Sequence, residues 1–216
     1  LRHGDLHTVV CTEDAALPPI PAGVRLVQVP GDVMKSLSPA QTPQGVLSVC
    51  GMPSAKLPGK LEGKRYVVLD GVQDPGNVGT IIRTADAAGF DGVILSTQCA
   101  DVFSPKVLRA TMGSIFRMGI RVTDDLPGVL AQMVQEGASV LSSQLDGEPF
   151  YQRSPMNERF VLVIGSEGNG VTDEVKAVAT HKVKLPMRGG AESLNAAVAA
   201  GIMMYELTRE KSGAKG

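Results

Sequence analysis

The feature that most constrains this chain is an alternation that begins near residue 64. Compact runs rich in Val, Ile and Leu (YVVLDGV, DGVILST, ASVLSSQL, RFVLVIGSE and HKVKLP) alternate with helix-length segments at 78–89, 105–116, 126–136, 172–179 and 193–210. Strands that are apolar almost throughout must be covered on both faces. The pattern therefore predicts an α/β fold, a mostly parallel sheet with helices on both sides. Ligands of such sheets sit beyond the carboxyl ends of the strands, which directs attention to the strand-to-helix loops.

The first 50 residues read as part of a small α/β module. HTVV and VRLVQV are strand-like, LPPIPAG separates them, and DVMKSL is a short helical candidate. Residues 51–63, GMPSAKLPGKLEG, show no hydrophobic period and read as an exposed linker, which leaves 64–212 as the main domain. A length of 216 residues suits one full domain with a small appendage.

Hydrophobic residues at 43% against 20% charged exclude a disordered chain. A net charge of −1 gives no global attraction to nucleic acid, so any such contact needs a local basic face. Cys11, Cys50 and Cys99 are odd in number and far apart, which supplies neither a disulfide framework nor metal spacing. A reducing compartment, the cytoplasm, is expected. His3 and His7 near Cys11 lack a fourth ligand, so they read as surface residues and no metal site is expected. No apolar run reaches the roughly 18 residues of a membrane span, and LRHGDLHTVV lacks the form of a signal peptide. The start at Leu1 reads as a trimmed product or a fragment, and KSGAKG as a solvated tail.

Three loops carry the chemistry. In DGVQDPGNVGTIIRTADAAGF, Asn77 falls at a helix start and Arg83 six residues later in a helix of small and apolar residues. Asn77 alone reads equally well as an N-cap, and Arg83 as a side chain either reaching solvent or aimed at an anion. In VLVIGSEGNGV, an apolar strand ends in Gly165, Gly168 and Gly170 around Glu167. Glycines there permit close approach by a ligand or a plain tight turn, and the order matches neither the dinucleotide fingerprint nor a P-loop. In VKLPMRGGAESLNAAVAAGIMMYELTR, Ser193 and Asn195 lie at the mouth of a long helix. Ser193 is a candidate N-cap, and the stripe Ala197, Ala200, Met204, Leu207 reads as core or a dimer face.

Together the Asn77-to-Arg83 segment, GSEGNGV and SLNAAV resemble, in order and spacing, the three signature motifs of the SpoU family within the SPOUT methyltransferases, over residues 64–210. The resemblance implies a C-terminal trefoil knot, an exception to the no-knot rule, and a homodimer. It implies S-adenosylmethionine held by backbone groups at Gly165, Leu185 and Leu194, with Met187 and Ser193 nearby. The stretch SLSPAQTPQGVLSV resembles the end of the RNA-recognition module that precedes such domains, here shortened.

The implied activity is methylation of a ribose 2′-hydroxyl in structured RNA, ribosomal RNA ahead of transfer RNA. Because the sulfonium donor is already reactive, the protein's tasks are positioning and removal of one proton. Arg83 is the candidate for clamping the adjacent phosphate and stabilising the developing oxyanion. A guanidinium, with a pKa above about 12, makes a poor base, so phosphate or water is the preferred proton acceptor. Asn77 and Asn195 would orient ribose or arginine, Glu167 would fix Arg83 or loop amides, and Ser193 completes the set. Lys106, Arg109 and Arg117 recur near helical spacing as candidate RNA contacts, with a solvated helix face as the alternative reading. Two rival functions are a base-nitrogen RNA methyltransferase and a catalytically silent knotted RNA-binding or assembly module.

Overall fold

A computed structural model describes residues 5–57 and 60–209. His3, the KSGAKG tail and the end of the 64–212 domain fall outside the described residues. The chain divides into two compact units, Leu1–Ser54 and Ala55–Gly216.

The first unit is a three-stranded sheet. β1 (Leu6–Cys11) lies between β2 (Arg25–Gln28), which is parallel to it, and β3 (Val46–Cys50), which is antiparallel. Alternation along β1 points Val9 and Cys11 inward, and both are buried, as is Met34 of α1 (Gly31–Leu37). His7 is exposed and pairs with Asp5 at 3.3 Å.

The second unit contains β4 (Arg65–Asp70), α2 (Pro75–Ala87), β5 (Gly92–Ser96), α3 (Pro105–Thr111), β6 (Gly119–Thr123), α4 (Leu126–Gln135), β7 (Ser139–Pro149), β8 (Phe160–Gly165), α5 (Asp173–Val178), β9 (His181–Lys184) and α6 (Ala196–Thr208). Its six strands are ordered β6-β5-β4-β8-β7-β9, and every neighbouring pair is parallel.

Two apolar layers explain the uninterrupted hydrophobic strands. Val67, Leu69, Val93, Leu162 and Ile164 face Ile81 and Ile82 of α2, Val107 of α3, and Met203 and Met204 of α6. The alternate residues Tyr66, Val68, Ile94, Val161 and Val163 face Leu130 and Met133 of α4 and Val175 of α5. Helices therefore cover both faces, as the apolar runs require.

Local chemistry sets the helix boundaries. Helix α2 begins at Pro75 rather than at 78, because Asp74 caps it by accepting the Asn77 N–H at 2.8 Å and proline is well placed at a first helical position. Helix α3 stops at Thr111, short of 116, because Met112 and Gly113 both take positive φ (49° and 85°) before a short 3-10 turn at Ser114–Phe116. Gly79 lets α2 and α3 meet, since a Cβ there would stand 2.4 Å from the Ala110 Cβ. Strand β6 lies at the sheet edge, and its half-buried GIRVT has none of the apolar density of its neighbours. Within the segment read as a linker, the Ala55 carbonyl accepts the Val122 N–H at 2.8 Å, and the Leu61 carbonyl accepts Arg159 Nη2 at 2.6 Å.

Candidate functional site

The strand order runs outward from β4 through β5 and β6 on one side, and from β8 through β7 and β9 on the other. The β4–β8 boundary is thus the point where the connections diverge, and in open α/β sheets ligands sit beyond the carboxyl ends of the strands at such a point. The loops that leave them are the first two of the three singled out by sequence, and the third returns from β9 into α6.

One hydrogen-bonded chain ties the three loops together. The N–H groups of Ala197 and Val198 donate to Asn195 Oδ1 at 3.0 and 3.2 Å, so Asn195 is the N-cap of α6. Asn195 Nδ2 donates to Asn77 Oδ1 at 3.0 Å. Asn77 Nδ2 donates to Glu167 Oε1. With both donors committed in one direction, the terminal Glu167 oxygen is fixed as an acceptor. Its carboxylate also sits by the first turn of α2, where the helix dipole favours negative charge.

Neither candidate cap, Asn77 or Ser193, is the cap of its helix. Asn77 is not the N-cap of α2, a role that Asp74 takes, so its amide is free to bridge Asn195 and Glu167. Ser193 does not cap α6, because Asn195 does, and Ser193 remains exposed in the loop. The Asp-Pro pair carries the signal for the first of these, since Asp followed by Pro at a first helical position is a helix start and not only a turn.

Arg83 is exposed on the solvent-accessible side of α2, less than two turns beyond Asn77. The accessible positions run Asn77, Thr80, Arg83 and Ala87, while Val78, Ile81, Ile82 and Ala85 are buried. Arg83 makes no hydrogen bond or ion pair among the described residues, which leaves its fork available to an anion.

The second loop is a tight closed turn. Ser166 and Gly170 exchange backbone hydrogen bonds at 3.0 and 2.9 Å, and Gly170 has φ +68°. A Cβ on Gly165 would lie 2.1 Å from the Gly170 carbonyl carbon, so only glycine fits where the turn folds back on its strand. In the third loop Leu185 is half-buried, while Met187 and Leu194 are exposed. Residues 186–194 make no backbone–backbone hydrogen bond with the rest of the described protein, and Gly189 and Gly190 face open space. Unpaired main-chain N–H and C=O groups, a glycine turn and apolar Leu185, Met187 and Leu194 suit a partly apolar cofactor recognised by backbone. No group of three His, Cys, Asp or Glu residues among those described could hold a metal ion.

The three basic candidates part company. Lys106 and Arg109 are exposed on α3. Arg117 donates through Nε and Nη2 to Asp86 Oδ2 at 2.9 and 2.6 Å. Burial alone would raise the Asp86 carboxyl, but the Arg117 and Ser114 hydrogen bonds outweigh it and hold Asp86 below the usual carboxylate range. Arg117 is therefore occupied as a pin between α2 and the turn before β6. The stripe Ala197, Ala200 and Met204 is core, with Leu207 packed against it, and the apolar residues α6 leaves exposed are Val198, Ile202 and Tyr205.

Residues 64–205 match the family model of the SpoU rRNA Methylase family. The chain is 36% identical, over 94% of its length and 81% of the relative's, to the 23S rRNA (guanosine(2553)-2'-O)-methyltransferase RlmP of Bacillus subtilis. It superposes with TM-score 0.82 and 32% identity on an AdoMet-bound rRNA methyltransferase from Sinorhizobium meliloti, covering 95% of this chain and 80% of that one. With TM-score 0.79 and 27% identity it also superposes on the SpoU methyltransferase AviRb from Streptomyces viridochromogenes in complex with AdoMet, covering 95% and 83%. The loops at the β4–β8 switch point thus lie within the matched region, and the chain belongs to the SpoU rRNA methylase family.

Proposed function

We propose that this protein transfers a methyl group from S-adenosylmethionine to a ribose 2′-hydroxyl of structured RNA, ribosomal RNA ahead of transfer RNA. The observation that carries the reading is the Asn195–Asn77–Glu167 chain at the sheet's switch point, with Arg83, exposed on the same helix and without a partner among the described residues, less than two turns away. The named activity of the Bacillus subtilis relative supports the ribose hydroxyl as the acceptor.

S-adenosylmethionine, when bound, supplies a methyl group on a sulfonium. Gly165, Leu185 and Leu194 hold it through backbone groups, with Met187 and Ser193 beside them. Arg83 clamps the phosphate next to the target ribose and stabilises the charge that develops on the 2′-oxygen. Asn77, Asn195 and Glu167 set the floor of the site, Ser193 adds a hydroxyl at its rim, and the proton passes to phosphate or water. Transfer of labelled methyl to unmodified ribosomal RNA tests this: label in 2′-O-methyl nucleotides supports it, and label on base nitrogens favours the rival enzyme.

Lys106 and Arg109 extend the RNA surface along α3, while Arg117 already has Asp86 as its counter-ion. A Lys106→Ala/Arg109→Ala variant is expected to bind RNA more weakly and to reduce the magnitude of the slope of log affinity against log salt by about 1.4 to 1.8, with S-adenosylmethionine affinity unchanged. Filter binding at several salt concentrations measures it, and an unchanged slope returns these residues to a solvated helix face.

Val198, Ile202 and Tyr205 form an apolar stripe on α6, exposed at 50%, 38% and 55%, which supports a homodimer packed through this helix. Sedimentation at micromolar concentration should give a dimer for the wild type and a monomer for Ile202→Glu. A wild-type monomer contradicts the assembly.

The family trefoil knot is proposed with these assignments. It is supported by the return of the chain from the edge strand β9 to pack α6 on α2 near the middle of the sheet. An N-terminal RNA-recognition role for residues 1–50, the 51–63 linker and a cytoplasmic location complete the reading, the last supported by three free cysteines. No helix among the described residues is long and apolar enough to cross a membrane.

A further inference from the structure

Asp70 is a buried carboxylate to which the reaction above gives no task. It ends β4 at 4% exposure, and among the described residues both hydrogen bonds of its side chain go to one residue: the Thr172 N–H and the Thr172 hydroxyl donate to Asp70 Oδ2 at 2.7 and 2.8 Å. A charge taken out of water is costly unless such bonds hold it in place.

The two bonded residues stand at opposite ends of one loop. In the β4–β8 ladder Asp70 is the partner of Gly165, where the chain enters the loop 166–171, and Thr172 is where it leaves. Asp70 therefore meets the entry through the backbone and the exit through its side chain. Within the loop, the Ser166–Gly170 backbone pair and the Asn169 N–H bonded to Ser166 Oγ make a closed hydrogen-bonded unit. Buried Val171 adds an apolar anchor, but apolar contact is non-directional and sets no register. Glu167 rides on this unit and meets Asn77, whose helix begins beyond Asp70, after the Asp74 cap.

We infer that Asp70 is the positioning residue that clamps the second loop through Thr172 and so holds Glu167 against Asn77. This rests on the methyltransferase reading for its consequence in turnover, but the clamp itself is a property of the loop. The hydrogen bonds of its side chain go to Thr172, and it acts through Glu167.

The test uses the full chain with Asp70→Asn, Thr172→Val and Thr172→Ser. Thr172→Val is nearly isosteric and removes one donor, whereas Thr172→Ser keeps both. Amide hydrogen exchange of residues 166–172 is expected to speed up about 10- to 100-fold in Asp70→Asn and Thr172→Val, with exchange in β4 and β8 unchanged and near-wild-type protection in Thr172→Ser. In methyl transfer, Asp70→Asn should lower kcat about 30-fold in the wild type but less than about threefold in a Glu167→Gln background, because a clamp that works through Glu167 has nothing left to position. Unchanged exchange in 166–172, or penalties that multiply fully in the double variant, would overturn the inference. If the wild type transfers no methyl group, the enzymatic reading fails while hydrogen exchange still decides the clamp.

Discussion

Arg83→Ala is expected to cut methyl transfer by about 10²- to 10³-fold while leaving the fold untouched. A loss of about that size is what the removal of one oxyanion-hole donor costs in acyl transfer. The structural neutrality follows from position. Arg83 is exposed in the interior of α2, has no partner among the described residues, and alanine is at least as good a helix former as arginine. Stability should therefore change by no more than about 0.5 kcal/mol, a shift of one or two degrees in a thermal melt. Arg83→Lys separates charge from geometry. Lysine keeps the positive charge but loses the fork that grips two phosphate oxygens at once, so activity should fall between the two. S-adenosylmethionine affinity, measured by calorimetry, should be the same in all three proteins. A large fall in melting temperature, or activity that survives intact, would remove Arg83 from the site.

Gly165→Ala should have the opposite signature, damaging the fold locally and the cofactor site with it. A methyl group there falls within 2.3 Å of Gly170 C, Gly170 O and Val171 N, all backbone atoms that no rotamer change can move. Relief requires opening the Ser166–Gly170 pair or shifting the end of β8 away from Asp70, its ladder partner. Overpacking of this kind costs about 3 kcal/mol, which for a chain of this length lowers the melting temperature by about 10 °C. Because Glu167 and Gly165, one of the proposed cofactor-holding positions, lie on the displaced turn, affinity for S-adenosylmethionine should fall at least about tenfold. Gly168→Ala is the internal control: it lies in the same turn but faces open space at ordinary φ, and should be nearly silent in both melt and titration.

The same residues mark the boundary between what the amino-acid sequence reveals and what only the folded chain does. The apolar runs of β4, β5, β8 and the first half of β7 are readable because strands buried on both faces carry no polar alternation. Edge strand β6 does not stand out this way, since an edge with one poorly covered side mixes Gly119, Arg121 and Thr123 into its few positions. Asn77, Glu167 and Asn195 can be singled out as motif residues. Their mutual bonds cannot, because they join positions 90 and 118 residues apart that only the sheet order brings together. The capping roles escape a local reading for a similar reason. Ser193 and Asn195 are both good caps by type, and the choice between them depends on where the loop from β9 enters α6. Asp70 has the look of the polar end of an apolar strand, and nothing local marks it as the partner of Thr172, 102 residues away.

The measurement that bears most directly on ribose methylation is alkaline hydrolysis of RNA labelled by this protein from methyl-labelled S-adenosylmethionine. Base cleaves RNA by attack of the 2′-oxygen on its own phosphate, so a methylated 2′-oxygen protects the adjoining linkage. Label is expected in alkali-resistant dinucleotides, present with the wild type and absent with Arg83→Ala. Label released entirely as mononucleotides, or no transfer to RNA by a protein that binds the cofactor, would contradict the assignment.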